Sequence, residues 1–171
     1  MPFGRITPEQ MAVIRTHVEG QTVHDVGAGD LGLAQELLVL GASRIVAIDR
    51  SLPAAPDPRI TLFEDYFHNC HECPRVAFVS WPQNTYDLGT RKLLARSQVV
   101  IYLGKNTDGI SCGGPSFFDS LLTREVKAYV PDPLNTLIVY GPRDVKRSPR
   151  GEEKAAIQQE RIWSFEEVER G

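Results

Sequence analysis

Asp25, Gly27, Gly29 and Asp49 are the residues whose types and spacing point most directly to chemistry. Glycines on either side of Ala28 let the chain turn tightly and bring its backbone against a ligand with no Cβ in the way. Asp49, twenty residues beyond Gly29, is spaced to accept hydrogen bonds from ribose hydroxyls. Gly27, Gly29 and Gly32 also satisfy G-x-G-x-x-G, a pattern that serves the pyrophosphate of dinucleotides. Asp25 argues against that ligand, because a carboxylate facing two phosphates repels them. An acid there suits a cationic ligand instead. Two other readings stay open on these residues alone: the dinucleotide site, and a plain chain reversal in which Asp25 caps the turn.

The run Val23-His-Asp-Val-Gly-Ala-Gly29, taken with Asp49, resembles the first two motifs of the class I methyltransferases that use S-adenosylmethionine (SAM). That cofactor carries an ammonium and a sulfonium and has no phosphate. The resemblance implies a Rossmann-like fold, methyl transfer, and a cofactor held by Asp25, Gly27, Ala28, Gly29, Asp49 and Arg50. It also puts Asp65, or its neighbour Glu64, near the adenine amino group, the ordinary alternative being an acid in a solvated turn.

Ser80-Trp-Pro-Gln-Asn84 is similar to a degenerate form of the Asp/Asn/Ser-Pro-Pro-aromatic tetrapeptide of amino-group methyltransferases. In that family a short polar side chain and a backbone carbonyl accept hydrogen bonds from the target amine, and an aromatic ring stacks on its flat group. Ser80 and Pro82 fit; Trp81 stands in place of the first proline and Gln83 in place of the aromatic residue. The resemblance implies that Ser80, Trp81 and Pro82 orient the acceptor, against a plainer reading in which Trp81 packs and Pro82 ends a strand. Tyr102-Leu-Gly-Lys-Asn106 and Ile110 to Phe118 extend the likeness to a small group of methyltransferase-like proteins with a Trp-Pro turn, a glycine-rich loop and a Phe-Phe helix. That likeness puts the loop over the active site. Backbone N–H groups at the helix start, Ser116 to Phe118, suit an anionic substrate group. The departures from the tetrapeptide also admit a SAM-binding regulatory or interaction module without transfer activity.

His68, Cys70, His71 and Cys73 offer thiolate and imidazole donors, with Cys112 elsewhere. Structural zinc commonly takes two paired half-motifs and only one pair is present, so no metal site is expected. His17 and His24 fall within a helix and a strand and read as structural. Arg143, Lys146, Arg147 and Arg150 cluster in a polar segment suited to a solvated loop or to an anionic group.

These residues need a frame to hold them. Strands are predicted at Thr22 to Val26, Arg44 to Ile48, Ile60 to Phe63, Val76 to Val79, Gln98 to Leu103, Asn135 to Tyr140 and Arg161 to Phe165. Helices are predicted from a Thr7 cap and Pro8, from an Asp30 cap to Gly41, over Leu88 to Ala95, and from Ser116. Pro53, Pro56 and Pro58 exclude a regular helix between the second and third strands. The expected fold is α/β, a Rossmann-like three-layer sandwich with a mostly parallel sheet of about seven strands and shortened middle crossovers. At 171 residues the chain is the size of one domain. A net charge of −3 argues against a broad nucleic-acid surface, and three cysteines do not make a disulfide framework. With no long apolar run, a cytoplasmic protein with no membrane partner is expected, its methyl acceptor being a small molecule or a macromolecule.

Overall fold

The computed structural model describes residues 6–65, 72–82, 94–105 and 115–144, with backbone alone at 115 and 116. Helix α1 (Pro8–Val18) starts as the sequence predicts: the Thr7 side chain accepts from the Gln10 N–H, and the Gln10 side chain accepts from the Thr7 N–H. Such a reciprocal cap stabilises a helix start by about 1 kcal/mol. Gln10 does more than cap. Its buried amide nitrogen also reaches the Asn135 side-chain oxygen at 3.0 Å, tying the helix to the far end of the sheet.

Strand β1 (Thr22–Val26) leads through the glycine turn to α2 (Gly32–Val39), and β2 (Arg44–Asp49) follows. The segment 50–59, with its three prolines, then crosses to β3 (Ile60–Glu64) without a helix. Next come β4 (Val76–Ser80), β5 (Val99–Gly104) and α3 (Pro115–Leu121). The chain closes the sheet with β6 (Arg124–Val130) and β7 (Thr136–Arg143). The seven strands lie in the order β3-β2-β1-β4-β5-β7-β6. The first five are parallel, and β7 runs antiparallel to both β5 and β6.

Apolar residues line both faces of the central strands, as a covered parallel sheet requires. On one face Val23, Ala47, Phe78 and Ile101 pack with Ile14 and Val18 of α1 and Leu37 and Leu38 of α2. On the other, Val26, Ile48, Val79 and Tyr102 pack with Leu94 and with Phe117, Phe118 and Leu121 of α3. Helices on both faces make the expected three layers.

The last strands depart from the sequence reading. The strand predicted at Asn135 to Tyr140 is β7, while β6 was not foreseen; the predicted strand Arg161 to Phe165 and most of the predicted helix Leu88 to Ala95 lie outside the described residues. Charged Arg124, Glu125 and Lys127 hide β6, whose pairing with β7 is interrupted by two register shifts. Arg124 is nonetheless 1% exposed. Its guanidinium donates to the carbonyls of Gly141 at 2.7 Å, Ser97 at 2.9 Å and Leu94, so one side chain ties β6 to β7 and to the chain entering β5. Burial, with Arg143 nearby, pulls its pKa down to about 10, which leaves it charged at neutral pH.

Arg124→Met strips these carbonyls of their donor, and each unmet buried acceptor costs about 1–3 kcal/mol. Urea unfolding should therefore show a large fall in midpoint. Lys127→Met, which removes only an exposed pairing with Glu125, should stay within about 0.5 kcal/mol of the parent.

Candidate functional site

The carboxyl ends of β1 to β5 lie along one edge of the sheet, aligned by register: Val26 stands beside Ile48 and Val79, Asp49 beside Glu64, and Ser80 beside Leu103. From β1 the chain moves outward to β2 and β3, and from β4 it moves outward the other way to β5. Strand order thus reverses between β1 and β4, where an open α/β sheet forms its ligand crevice.

On the β1 side the glycine turn is built from left-handed residues. Gly27 has φ 81° and Gly29 φ 52°, values that L side chains rarely adopt. The N–H groups of Gly27 and Ala28 donate to the Ile48 carbonyl at 2.8 and 3.2 Å, seating the turn on the tip of β2. Asp49 fixes it from the other side, accepting from the Gly29 N–H on Oδ2 at 3.0 Å and from the Arg50 N–H on Oδ1 at 2.6 Å. Each carboxylate oxygen carries a second lone pair, so Asp49 retains acceptor capacity for hydroxyls. Asp30 differs from expectation. Its side chain accepts from the Gly32 N–H at 3.0 Å, but the helix cap is Leu31, buried and left-handed at φ 65°. Nothing about a leucine advertises that conformation in sequence, and strain of this kind collects at ligand sites.

Asp25 is completely buried at the base of this turn, and neither carboxylate oxygen has a hydrogen-bond partner among the described residues. Burial first, then the neighbouring Asp49 and Asp30, push its pKa up to about 7. Three acids therefore surround the turn. The arrangement favours a cation or a donor-rich group and opposes phosphate.

The remaining predicted cofactor residues lie around this centre. Arg50 is exposed just past β2. The half-buried Asp65 follows β3, its N–H donating to the Asp49 carbonyl at 3.1 Å, which sets it beside the tip of β2. Glu64 is exposed and turns toward the proline segment, accepting from the Leu52 N–H at 3.4 Å.

Across the crevice, Ser80, Trp81 and Pro82 are half-buried at the tip of β4. Trp81 is left-handed, at φ 46°, and its N–H donates to the Leu103 carbonyl of β5 at 2.8 Å. A bulky residue in that region is strained, and a proline directly after it narrows its choices further. Phe117 and Phe118, expected at an anion-binding helix start, are buried in the core of the second face. The N-terminal side chains of α3 and the glycine-rich segment 106–114 lie outside the described residues.

The other candidates take structural places. His24 is buried on β1 with Nε2 3.0 Å from Glu72 Oε2, and burial holds its pKa down despite the pull of the carboxylate. Burial likewise lowers that of His17 on α1. Cys73 is an exposed free thiol; His68, Cys70, His71 and Cys112 lie outside the described residues, as do Lys146, Arg147 and Arg150. Arg143 is exposed at the end of β7. No described helix is long and apolar enough to cross a membrane.

The solved structures that this chain resembles share this architecture. A ribosomal protein L11 methylase from Lactobacillus delbrueckii subsp. bulgaricus matches with a TM-score of 0.61 at 17% identity, over 83% of this chain and 81% of that one. A precorrin-6y C5,15-methyltransferase from Geobacter metallireducens matches with a TM-score of 0.56 at 15% identity, over 82% of this chain and 92% of the other. The chain has the Rossmann-like fold of the class I SAM-dependent methyltransferases. No protein-family model and no curated protein matches its sequence.

Asp25 carries a stability signature. Its folded value of about 7 stands above the roughly 3.9 of an unfolded aspartate, so the native state holds a proton that the unfolded chain releases. Its contribution is fully present below pH ~4 and is lost as pH rises through ~7, by roughly a few kcal/mol. His17 and His24, whose values are lowered, act with the opposite sign. Urea midpoints of wild type minus those of Asp25→Asn, measured from pH 5 to 8 without ligand, should therefore decline as pH rises. A flat difference would show that the carboxylate is solvated or paired.

Proposed function

We propose that this chain is a SAM-dependent methyltransferase. The observation that carries the reading is Asp25: a sealed carboxylate with no donor on either oxygen, set between a glycine turn and a second acid. A site so charged is complementary to an ammonium and to ribose hydroxyls. The likeness in fold to the methylase and the methyltransferase above supports the same reading.

In this reading Asp25 balances the cationic methionine end, the turn from Gly27 through Ala28 to Gly29 lets the backbone approach the ligand, and Asp49 accepts from the ribose. Arg50 and Asp65 border the nucleoside. Bound SAM supplies an electrophilic methyl group on a positive sulfur. The protein's part is to hold the acceptor in line with it, and such alignment alone can supply much of a rate enhancement. In the same reading Ser80 and the Trp81 carbonyl accept from an acceptor amine, with Pro82 fixing the turn. Both small molecules and exposed macromolecular groups fit an open edge of this kind.

Calorimetry should show SAM binding in preference to NAD. Because Asp25 must give up its proton to meet a cation, affinity should fall about tenfold per pH unit below 7. Asp49→Ala removes the ribose acceptor and releases the Gly29 N–H, and should weaken binding by about 1.5–3 kcal/mol. NAD binding with no SAM affinity would sink the assignment.

Turnover tests the second half of the reading. Once an acceptor supports S-adenosylhomocysteine release, Ser80→Ala and Trp81→Ala should lower kcat while leaving SAM affinity nearly unchanged, the pattern of lost transition-state positioning. Bound SAM without transfer to amines, nucleic acids or protein extracts would favour a binding module instead.

A further inference from the structure

Tyr102 lies in the row of residues that crosses the sheet through Ile48, Val26, Val79 and Ile138, level with the tip of β1 and one position behind that of β4. It is completely buried. Its ring packs against Phe117 and Phe118, with centroids 5.8 and 5.5 Å away, and these two rings meet edge to face at 5.0 Å. The hydroxyl donates to the Lys105 carbonyl at 2.8 Å, so the side chain runs forward along its own strand and past Gly104. A Cβ at position 104 would stand 2.5 Å from that hydroxyl. Gly104 has no positive φ, so what the glycine supplies is room for the tyrosine.

One side chain thus grips both the Lys105 carbonyl and α3. Lys105 begins the path into segment 106–114, and α3, which carries both phenylalanines, ends it. Between Tyr102 and Gly104 lies Leu103, whose carbonyl accepts the Trp81 N–H at 2.8 Å and holds that residue in its left-handed conformation. Movement of the β5 tip would be passed directly to the Trp81 turn.

We propose that Tyr102 is a positioning residue for the acceptor side of the crevice, fixing the β5 tip and, through the Leu103 carbonyl, the backbone of Trp81. The proposal rests on the reading of Ser80 to Pro82 as the acceptor side and goes beyond it by naming what sets their geometry. The cofactor side, built on β1 and β2, is outside this grip.

The test uses Trp81 as its own reporter. The chain has two tryptophans, so a Trp163→Phe background leaves Trp81 alone. Tyr102→Phe then removes one hydroxyl and keeps the ring. Acrylamide quenching of Trp81 should rise about twofold as the turn loosens locally, with a red-shifted emission. Calorimetric SAM affinity should stay within about twofold, a change of less than 0.5 kcal/mol. Gly104→Ala, which displaces the same hydroxyl, should reproduce the fluorescence change and serves as an independent variant. Unchanged quenching and emission in the folded Tyr102→Phe protein would overturn the proposal. A parallel loss of SAM affinity would overturn the confinement to the acceptor side. If the parent binds no SAM, the cofactor reading fails, while the Trp81 signal still decides the positioning role.

Discussion

An ionised carboxylate sealed as Asp25 is, with no donor on either oxygen, costs several kcal/mol, and a folded chain keeps one only where neighbouring structure prevents its escape. Here the prevention is the register of the sheet. Asp25 stands beside Ala47 on β2 and Phe78 on β4, in a stretch where the flanking strands pair on both sides. A slip by one residue would carry it only to the other covered face, and would swap Val23 and Val26 between the two cores. The glycine turn then closes over it, seated on the Ile48 carbonyl and tied to Asp49. Apolar packing thus maintains an electrostatic deficit at one point. That deficit is relieved by a proton or by a cation, which is how a fold stores specificity before any ligand arrives.

Asp49 shows the complementary economy. Its two oxygens already accept backbone N–H groups, from the turn and from Arg50, and its own carbonyl accepts the Asp65 N–H. The residue proposed to accept from a ribose is therefore also the one that holds the tips of β1, β2 and β3 in mutual position. Binding and architecture are not separable there. At Asp25 they oppose one another: the carboxylate that suits a cation destabilises the ligand-free sheet above neutral pH.

Much of this was legible in the sequence, for reasons that differ by element. Strands β2, β4 and β5 declare themselves because strands covered on both faces must be almost continuously apolar, and Ile45 to Ile48 or Val99 to Leu103 admit few other readings. The Thr7 cap and the proline-broken crossover follow from local chemistry that needs no tertiary partner. Strand β6 was hidden because its determinants are tertiary. Arg124 looks like a solvent residue until three carbonyls, from Gly141, Leu94 and Ser97, converge on it. Leu31 gave no signal either, since a left-handed leucine is imposed by the turn before it and by the core around it. Among the candidate site residues, type and spacing pointed to Asp25 and Asp49. Neither could reveal that one would be left bare and the other doubly bonded.

The two described non-glycine residues with positive φ are Leu31 and Trp81, and they follow β1 and β4, the two strands between which the sheet order reverses. A strained backbone persists only where its surroundings over-determine it. For Leu31 the surroundings are the core under α2 and the hydrogen bond from its N–H to the Ala28 carbonyl. For Trp81 they are the Leu103 carbonyl and the tip of β5, where Tyr102 packs on Phe117 and Phe118. Each wall of the crevice is thus braced by a different layer of the sandwich, α2 on one face and α3 on the other. Independent bracing lets one wall vary in sequence without loosening its neighbour. The glycine turn after β1 and the Ser80-Trp81-Pro82 turn after β4 can therefore vary separately, and the fold accommodates both.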